Sequence, residues 1–262
     1  MNSETCAALL ELNRRFYAQF AGDFARTRRS WPPGFDRILP YLWPAANIAD
    51  LGCGNGRLLS FLAERGWRGR YLGVDSSAAL LAIAAADAPR DAAIHARFHR
   101  AELAALDPAA PLALVPPWPP NLGGNWREGR GEWDAVTALA VLHHIPGKAH
   151  RAGLLAACAD LLRPGGVLVV STWQFLTSAR LSARILPWEL AGIQPADVEP
   201  GDYLLPWGAA AAGQRYCAAI NAEALDELAI SKRTGLAHAA MFYADGHEGN
   251  LNLYGVFRKE LR

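Results

Sequence analysis

The sequence is poor in cysteine and in net charge, and each shortage excludes a class of protein. Its four cysteines are scattered without a C-x-x-C pair, so neither a disulfide framework nor a zinc site is predicted. No other metal site is indicated. The formal net charge of +1 excludes a broad electrostatic affinity for nucleic acid, although it allows a local basic face.

Long hydrophobic runs are also absent. No apolar stretch approaches the roughly 18 residues that a membrane-spanning helix requires. The first residues include Glu4 and Glu11 instead of the basic and apolar start of a secretory leader. We therefore expect no membrane partner and a cytoplasmic location. With 52% hydrophobic residues, the 262-residue chain can bury a full core, and we expect a single domain over residues 1–262.

Residues 48–57 carry most of the functional information. An apolar strand reaches Asp50 and then turns through three alternating glycines, Gly52, Gly54 and Gly56. A dinucleotide-binding G-x-G-x-x-G loop needs its third glycine three positions after the second, where this chain has Arg57. The G-x-G-x-G loop instead suits an uncharged ribose and an amino-acid tail better than a diphosphate. The alternative is a glycine turn that only joins a strand to a helix.

A second predicted strand, residues 70–74, ends in Asp75. This acid lies roughly twenty residues beyond the glycines, where a carboxylate in β-α-β folds accepts the ribose hydroxyls. The alternative role is the N-cap of a helix over residues 78–87, which Ser76 or Ser77 can serve equally well.

The pattern D-x-G-x-G-x-G at residues 50–56 resembles the first motif of the class I S-adenosylmethionine (SAM)-dependent methyltransferases. Two later segments resemble other marks of that superfamily. One is the apolar strand 133–139 running into His143-His144, and the other is the L-R-P-G-G sequence at residues 162–166 before a strand at 167–171. The L-R-P-G-G sequence predicts a helix stop followed by a tight turn.

The resemblance implies an α/β fold, a Rossmann-like domain with a seven-stranded, mostly parallel sheet. Its last strand, about residues 251–257, is expected to be antiparallel. The resemblance also implies SAM as cofactor, with Ala101 and Glu102 placed where related enzymes carry a small residue and an acid that receives the adenine amino group. The expected cofactor-binding residues are Asp50, Gly52, Cys53, Gly54, Gly56, Asp75, Ser76, Ala101, Glu102 and Leu139.

Three segments are expected outside this core. They are an N-terminal helical cap over residues 1–46, a Pro- and Gly-rich insert over 107–131, and a substrate cover over 173–213. Because the fold binds the cofactor and leaves the methyl acceptor to appended elements, the cap and the cover are expected to bind the acceptor.

Residues of the cap, of the cover and of the segments next to the strands sharpen the resemblance to one family, the wobble-uridine tRNA methyltransferases. The residues that carry it are Tyr17 and Phe24, Thr27-Arg28, Trp31-Pro32, His143-His144, Gly201-Asp202, Pro206-Trp207 and Gln214-Arg215-Tyr216. That family esterifies the carboxylate of 5-carboxymethyluridine at position 34. The likeness implies a tRNA anticodon loop as partner and a small zinc-binding activator protein. It also implies that Arg28 and Arg215 grip the acceptor carboxylate while Tyr17 and His144 orient it.

Alternatives stay open at each of these positions. Arg28 can be a solvated charge in a run of arginines, and His144 would be the general base if the acceptor had a proton to lose. Trp31, Trp173 and Trp207 can stack on a flipped-out base or simply pack. Two other functions remain: a methyltransferase for a small carboxylate or phenol, and a SAM-binding subunit without turnover.

Overall fold

The computed structural model describes residues 1–27, 30–105, 131–208 and 212–261. Arg28 and nearly all of the predicted insert 107–131 lie outside these ranges. The helices are α1 Ser3–Arg26, α2 Pro33–Leu42, α3 Arg57–Glu64, α4 Ala78–Ala86, α5 Lys148–Leu161, α6 Ala179–Ser182 and α7 Ala222–Ala229. The strands are β1 Asn47–Leu51, β2 Gly69–Asp75, β3 Ile94–Arg100, β4 Trp133–Leu139, β5 Leu162–Trp173, β6 Asp202–Trp207, β7 Gly213–Ala218, β8 Leu236–Ala244 and β9 Asn252–Lys259.

Seven of the strands form one sheet in the order β3-β2-β1-β4-β5-β9-β8. β1 pairs in parallel with β2 and β4, whereas β9 pairs antiparallel with both β5 and β8. The predicted α/β fold with a seven-stranded, mostly parallel sheet is therefore confirmed. The predicted antiparallel last strand is confirmed as β9.

The strand order places a topological switch point between β1 and β4. The chain runs outward from β1 to β2 and β3 and then returns to β4 on the other side of β1. In such sheets the loops beyond the carboxyl ends of the two central strands diverge and leave a crevice for ligands. The two loops meet at the base of the crevice, because a Cβ atom on Gly52 would lie 2.1 Å from Cγ2 of Val141.

Helices cover both faces of the sheet. Ile38 of α2 and Phe61 of α3 are fully buried in one apolar cluster with strand residues such as Val169. Leu154 of α5 and Leu225 of α7 belong to a second cluster. These two layers hold the carboxyl ends of the parallel strands at one edge of the domain.

The L-R-P-G-G sequence differs from its prediction. Helix α5 does stop, at Leu161, but the following residues belong to β5 instead of a separate turn. The pairing register shifts between Trp133 and Ala135, whose partners are Leu162 and Val167. Four residues of β5, 163–166, therefore lie opposite the single residue Asp134 and form a bulge, where Gly165 adopts a φ of 75° that favours glycine.

The two remaining strands, β6 and β7, form a separate antiparallel pair against α1. The contact is close, since a Cβ atom on Gly213 would lie 2.5 Å from the ring of Phe20. A buried polar network anchors the pair: Tyr216 donates a hydrogen bond to Asp202 at 2.6 Å and accepts one from Arg151 at 3.0 Å. Asp202 and Tyr216 thus hold the cover in place through their side chains.

In the described ranges, no helix combines the length and the hydropathy that crossing a bilayer requires.

Candidate active site

A cavity of about 670 Å³ opens at the carboxyl ends of the central strands, beneath α1 and the β6–β7 pair. It brings together most of the residues singled out from the sequence. Those that line it are Tyr17, Asp50, Gly52, Cys53, Gly54, Asp75, Ser76, Glu102, Leu139, His144 and Arg215.

Two predicted residues support the wall without lining it. Gly56 precedes α3 with a φ of 74°, and a Cβ atom there would lie 3.1 Å from Cβ of Ala84 in α4. Ala101 donates its backbone N–H to the carbonyl oxygen of Asp75 at 3.1 Å. Gly56 therefore permits close packing of two helices, and Ala101 ties the end of β3 to the end of β2.

The glycine loop forms an open floor. Apart from Gly54 itself and its two chain neighbours, no atom of the described residues lies within 4 Å of where a Cβ of Gly54 would be, and the φ of this residue is 55°. The N–H of Gly54 donates to Oδ2 of Asp75 at 2.9 Å, and the N–H of Ser77 donates to Oδ1 at 2.9 Å. Each carboxylate oxygen retains a lone pair for a ligand hydroxyl. The N-cap of α4 is Ser77, whose hydroxyl accepts the N–H of Leu80 at 3.3 Å.

Asp50 is held from both sides by neighbouring strands. The sheet register pairs it with Thr137 of β4, whose hydroxyl donates to Oδ1 at 2.6 Å, while Tyr71 of β2 donates to Oδ2 at 2.5 Å. Burial raises the pKa of Asp50 to about 6, and these two hydrogen bonds oppose the increase. Asp75 adds to it by charge repulsion.

The remaining cofactor candidates form walls. Burial raises the pKa of the Cys53 thiol, which therefore stays protonated and unreactive. Glu102 is exposed at the cavity edge, where Oε1 accepts the N–H of Ala104 at 3.3 Å. Leu103 and Leu139 add apolar surface to the cavity that Asp50, Asp75 and Glu102 also line.

Tyr17 and His144 form a hydrogen-bonded pair across the cavity wall. Oη of Tyr17 lies 2.9 Å from Nε2 of His144, and Nδ1 of His144 lies 3.2 Å from the carbonyl oxygen of Tyr216. Sγ of Cys217 lies further from Nδ1, at 3.7 Å. Because a carbonyl oxygen only accepts, the shorter contact favours the tautomer with the proton on Nδ1, in which Nε2 accepts from the tyrosine hydroxyl. His144 ends the short 3-10 turn Leu142–His144, which follows β4.

His143 has a different hydrogen-bond partner from His144. Its side chain is buried, and Nδ1 accepts the backbone N–H of Trp173 at 3.2 Å. The two histidine rings lie 4.3 Å apart. His143 therefore links the turn after β4 to the end of β5, and its ring also lines the cavity.

Arg215 is a buried cation enclosed by aromatic rings. Its side chain is 6% exposed, and its guanidinium carbon lies 4.6 Å from the ring centre of Trp173, 5.2 Å from Trp207 and 5.4 Å from Phe16. Among the described residues, its Nε has no hydrogen-bond partner and no carboxylate forms an ion pair with the guanidinium. The rings stabilise the charge by cation–π contact, but they give Nε no hydrogen-bond acceptor.

The three candidate tryptophans separate into two groups. Trp173 and Trp207 line the cavity beside Arg215. Trp31 instead packs at 5.9 Å against Phe61 and donates to Glu64 at 2.9 Å. Trp31 therefore packs against α3, whereas Trp173 and Trp207 form part of the cavity wall.

Sequence patterns missed two wall residues, Ala140 and Ser171. Ala140 adopts a left-handed φ of 56°, and its N–H donates to Oγ of Ser171 at 2.9 Å. The bend it makes after β4 directs the chain into the turn that carries His144. An alanine gives no local signal for this backbone conformation, which glycine favours.

Comparison with known proteins identifies the family. A family model described as a methyltransferase domain matches residues 24–236. The chain belongs to the class I SAM-dependent methyltransferases. The match supports an enzyme, and the family's methyl donor is SAM.

Each of the individual relatives is similar to only part of this chain. Trans-aconitate 2-methyltransferase of Azoarcus sp. is 35% identical over 48% of this chain and 38% of that protein. The mouse tRNA (carboxymethyluridine(34)-5-O)-methyltransferase ALKBH8 is 26% identical over 65% of this chain and 22% of that protein. This chain thus spans well under half of either relative. The predicted resemblance to the wobble-uridine family is confirmed as a sequence similarity.

The solved structures agree on the fold. Magnesium protoporphyrin IX methyltransferase (ChlM) from Synechocystis PCC 6803, with bound SAH, superposes with a TM-score of 0.61 at 16% identity. The match covers 96% of this chain and 99% of that one.

The residues at the glycine loop fit SAM. The space above Gly54 is open, and the oxygens of Asp75 are held by backbone N–H groups at the end of β2. Asp50 lines the same cavity as a second acid, together with apolar residues such as Leu103 and Leu139. Asp75 would hold the ribose hydroxyls, Glu102 the adenine amino group, and the loop backbone the amino-acid tail. When bound, SAM supplies an electrophilic methyl group on a positively charged sulfur.

Proposed function

We propose that this enzyme methylates a carboxylate oxygen and that Arg215 binds the acceptor carboxylate. The observation that carries the proposal is the buried guanidinium of Arg215, which has no carboxylate partner in the described part of the chain and lines the cavity. Leaving a charge buried and unpaired costs several kcal/mol, so an acidic ligand is its natural complement.

A carboxylate acceptor also needs little help from a catalytic base. A carboxylate is already ionised at neutral pH, so its methylation needs alignment and exclusion of water more than a strong base. Arg215 offers a planar set of donors that suits a carboxylate in a bidentate arrangement. The aromatic rings of Trp173 and Trp207 exclude water from the same wall.

The Tyr17–His144 pair is the proposed orienting group beside Arg215. The ring of Phe16 contacts both, at 5.0 Å from the Tyr17 ring and 5.4 Å from the Arg215 guanidinium. The pair and the cation are therefore neighbours in one wall. Arg28, predicted as a second carboxylate-binding residue, remains a hypothesis because it lies outside the described residues.

The proposed acceptor is the carboxymethyl group of a wobble uridine in tRNA. The support is the similarity to the mouse tRNA methyltransferase, which spans 65% of this chain. Arg14 and Arg180 also line the cavity with exposed side chains, so they are placed to contact RNA phosphates. The family resemblance implies a small zinc-binding activator as a further proposed partner.

A second candidate acceptor is a small carboxylic acid. The similarity to trans-aconitate 2-methyltransferase, at 35% identity, favours it. The same arginine and the same aromatic wall would bind a metabolite carboxylate.

Isotope-labelled SAM separates the two acceptors. The protein is incubated with bulk tRNA from the source organism and, separately, with a metabolite extract, and the labelled product is identified by nuclease digestion and mass spectrometry. Label in a wobble-uridine methyl ester supports the tRNA acceptor, and label only in a metabolite ester supports the small acid. Label in an ether or amine would overturn the carboxylate proposal. A parallel reaction in extract of the source cells supplies any activator protein.

A further inference from the structure

Asn13 is a buried polar residue on the face of α1 that meets the active site. Its side chain is 6% exposed, and it stands four residues before Tyr17, so the two side chains share one face of the helix. Nδ2 of Asn13 donates to the carbonyl oxygen of His144 at 3.1 Å and to that of Tyr216 at 3.3 Å. Its Oδ1 accepts the N–H of Tyr216 at 2.8 Å.

These bonds converge on His144 from two directions. The carbonyl oxygen of Tyr216, which accepts from Asn13, also accepts the Nδ1 proton of His144 at 3.2 Å. Tyr17, one turn further along α1, contacts the opposite nitrogen of the same ring at 2.9 Å. One helix face therefore holds the backbone of His144, the carbonyl group that binds Nδ1, and the hydroxyl that binds Nε2.

Anchoring α1 to β7 would need only the paired bonds between Asn13 and the backbone of Tyr216. The additional bond to His144 joins the turn after β4 to the same amide. Arg215 precedes Tyr216 in β7, so the amide also fixes the strand segment that carries the guanidinium. Three acceptor-site side chains on three separate elements thus share one buried side chain as their common support.

We propose that Asn13 is a positioning residue that sets the tautomer of His144 through the carbonyl group of Tyr216 and so fixes the hydrogen bond of the Tyr17 hydroxyl. The functional part of this inference rests on the proposed acceptor site, because Tyr17, His144 and Arg215 are its members. The tautomer itself is a property of the protein without any acceptor.

The test is a long-range ¹⁵N–¹H NMR correlation spectrum of the histidine rings, which reports the nitrogen that carries the proton. The His144 signals are assigned by their loss in His144→Gln. In the unmodified protein we expect a proton on Nδ1 only. In Asn13→Leu we expect a mixture with the Nε2–H form, because the Tyr216 carbonyl loses its support.

Two further variants make the outcome decisive. Asn13→Asp has nearly the same shape and keeps an acceptor for the Tyr216 N–H, yet it lacks the amide donor, so it tests the proposal if the leucine variant fails to fold. Leu9→Ala is the control, because Leu9 is a fully buried residue of α1 one turn earlier, outside this network. An unchanged His144 tautomer in both folded Asn13 variants, or an equal change in Leu9→Ala, would overturn the proposal.

Kinetics with the acceptor identified above supply the functional readout. We expect kcat to fall on the order of tenfold or more in Asn13→Asp, with the Kd for SAM unchanged, because the acceptor group is misaligned. A lower SAM affinity with an unchanged kcat would contradict this role. The NMR measurement needs no acceptor, so a wrong acceptor assignment and a wrong role for Asn13 are separately detectable.

Discussion

Replacing Arg215 with methionine should stabilise the protein while it disables the enzyme. The side chain is buried, its Nε has no partner in the described part of the chain, and three aromatic rings surround the guanidinium. A residue chosen for stability alone would be apolar here. A charge retained in such a place is expected only where a ligand uses it.

Two opposing contributions decide whether Arg215→Met raises or lowers the free energy of unfolding. A buried unpaired ion carries a desolvation cost of several kcal/mol, and each cation–π contact returns about 0.5 to 2 kcal/mol. Methionine fills a similar volume, adapts to irregular space and keeps favourable contacts with aromatic rings. We therefore expect Arg215→Met to raise the free energy of unfolding by about 1 to 3 kcal/mol, or the melting temperature by a few degrees.

The effect on turnover should run the other way. Hydrogen bonds to a charged group contribute about 1.5 to 3 kcal/mol each, so loss of a bidentate contact should lower kcat/KM by at least about a hundredfold. Thermal unfolding by circular dichroism, calorimetry with SAM and steady-state kinetics measure the three quantities. The expected pattern is higher stability, unchanged SAM affinity and strongly reduced kcat/KM.

Arg184→Met is the matched control. Arg184 is exposed, donates to the carbonyl oxygen of Gly208 at 3.1 Å and lies in the cover segment, which ends two residues before Arg215. Its replacement should leave kcat/KM within about threefold of the original value. If Arg215→Met unfolded at a lower temperature and kept its activity, Arg215 would be a structural residue and the carboxylate argument would fail.

Four further substitutions probe the cofactor side. Asp75→Ala should weaken SAM binding by about 1.5 to 3 kcal/mol in calorimetry, and an unchanged Kd would remove Asp75 from the ribose contact. Gly54→Ala should fold but bind SAM more weakly, because its Cβ enters open space, whereas Gly52→Ala should unfold readily because its Cβ meets Val141. A Gly52→Ala variant as stable as Gly54→Ala would contradict this packing. Because burial raises the pKa of Asp50 from 3.8 to about 6, its contribution to stability is present below pH 4 and is lost as pH rises through 6. Asp50→Asn should therefore lose this pH dependence and gain up to about 3 kcal/mol at pH 7 in denaturant unfolding, and a variant with the unmodified protein's pH profile would refute it.

The cofactor half of the site was largely predictable, because its signals are local. Glycines at every second position between an apolar strand and a helix require left-handed backbone, and Gly52, Gly54 and Gly56 all adopt it. An acid at the end of the next parallel strand must lie at the same sheet edge, which places Asp75 beside the loop. These inferences need only strand direction and chain connectivity.

The acceptor half shows where local patterns stop. Tyr17, His144 and Arg215 were found by resemblance, but no pattern indicated that the arginine would lack a carboxylate or that two of the three candidate tryptophans would enclose it. The L-R-P-G-G sequence was expected to form a turn, yet pairing with β4 absorbed it as a bulge. The sequence of one segment does not show whether a neighbouring strand will pair with it.

The sequence by itself determined the glycine loop and the acids at the strand ends, since each follows from the periodicity and conformational preferences of adjacent residues. The seven-stranded, mostly parallel sheet was implied by the resemblance of its motifs to a known superfamily. Only the tertiary structure decided which polar groups are satisfied. The amide of Asn13 binds His144 and Tyr216 across more than one hundred residues of chain, while the guanidinium of Arg215 contacts aromatic rings and, among the residues that the structure describes, no acid. Burial and hydrogen-bond partners depend on how distant elements pack, and the proposed binding of an acidic acceptor at Arg215 rests on both.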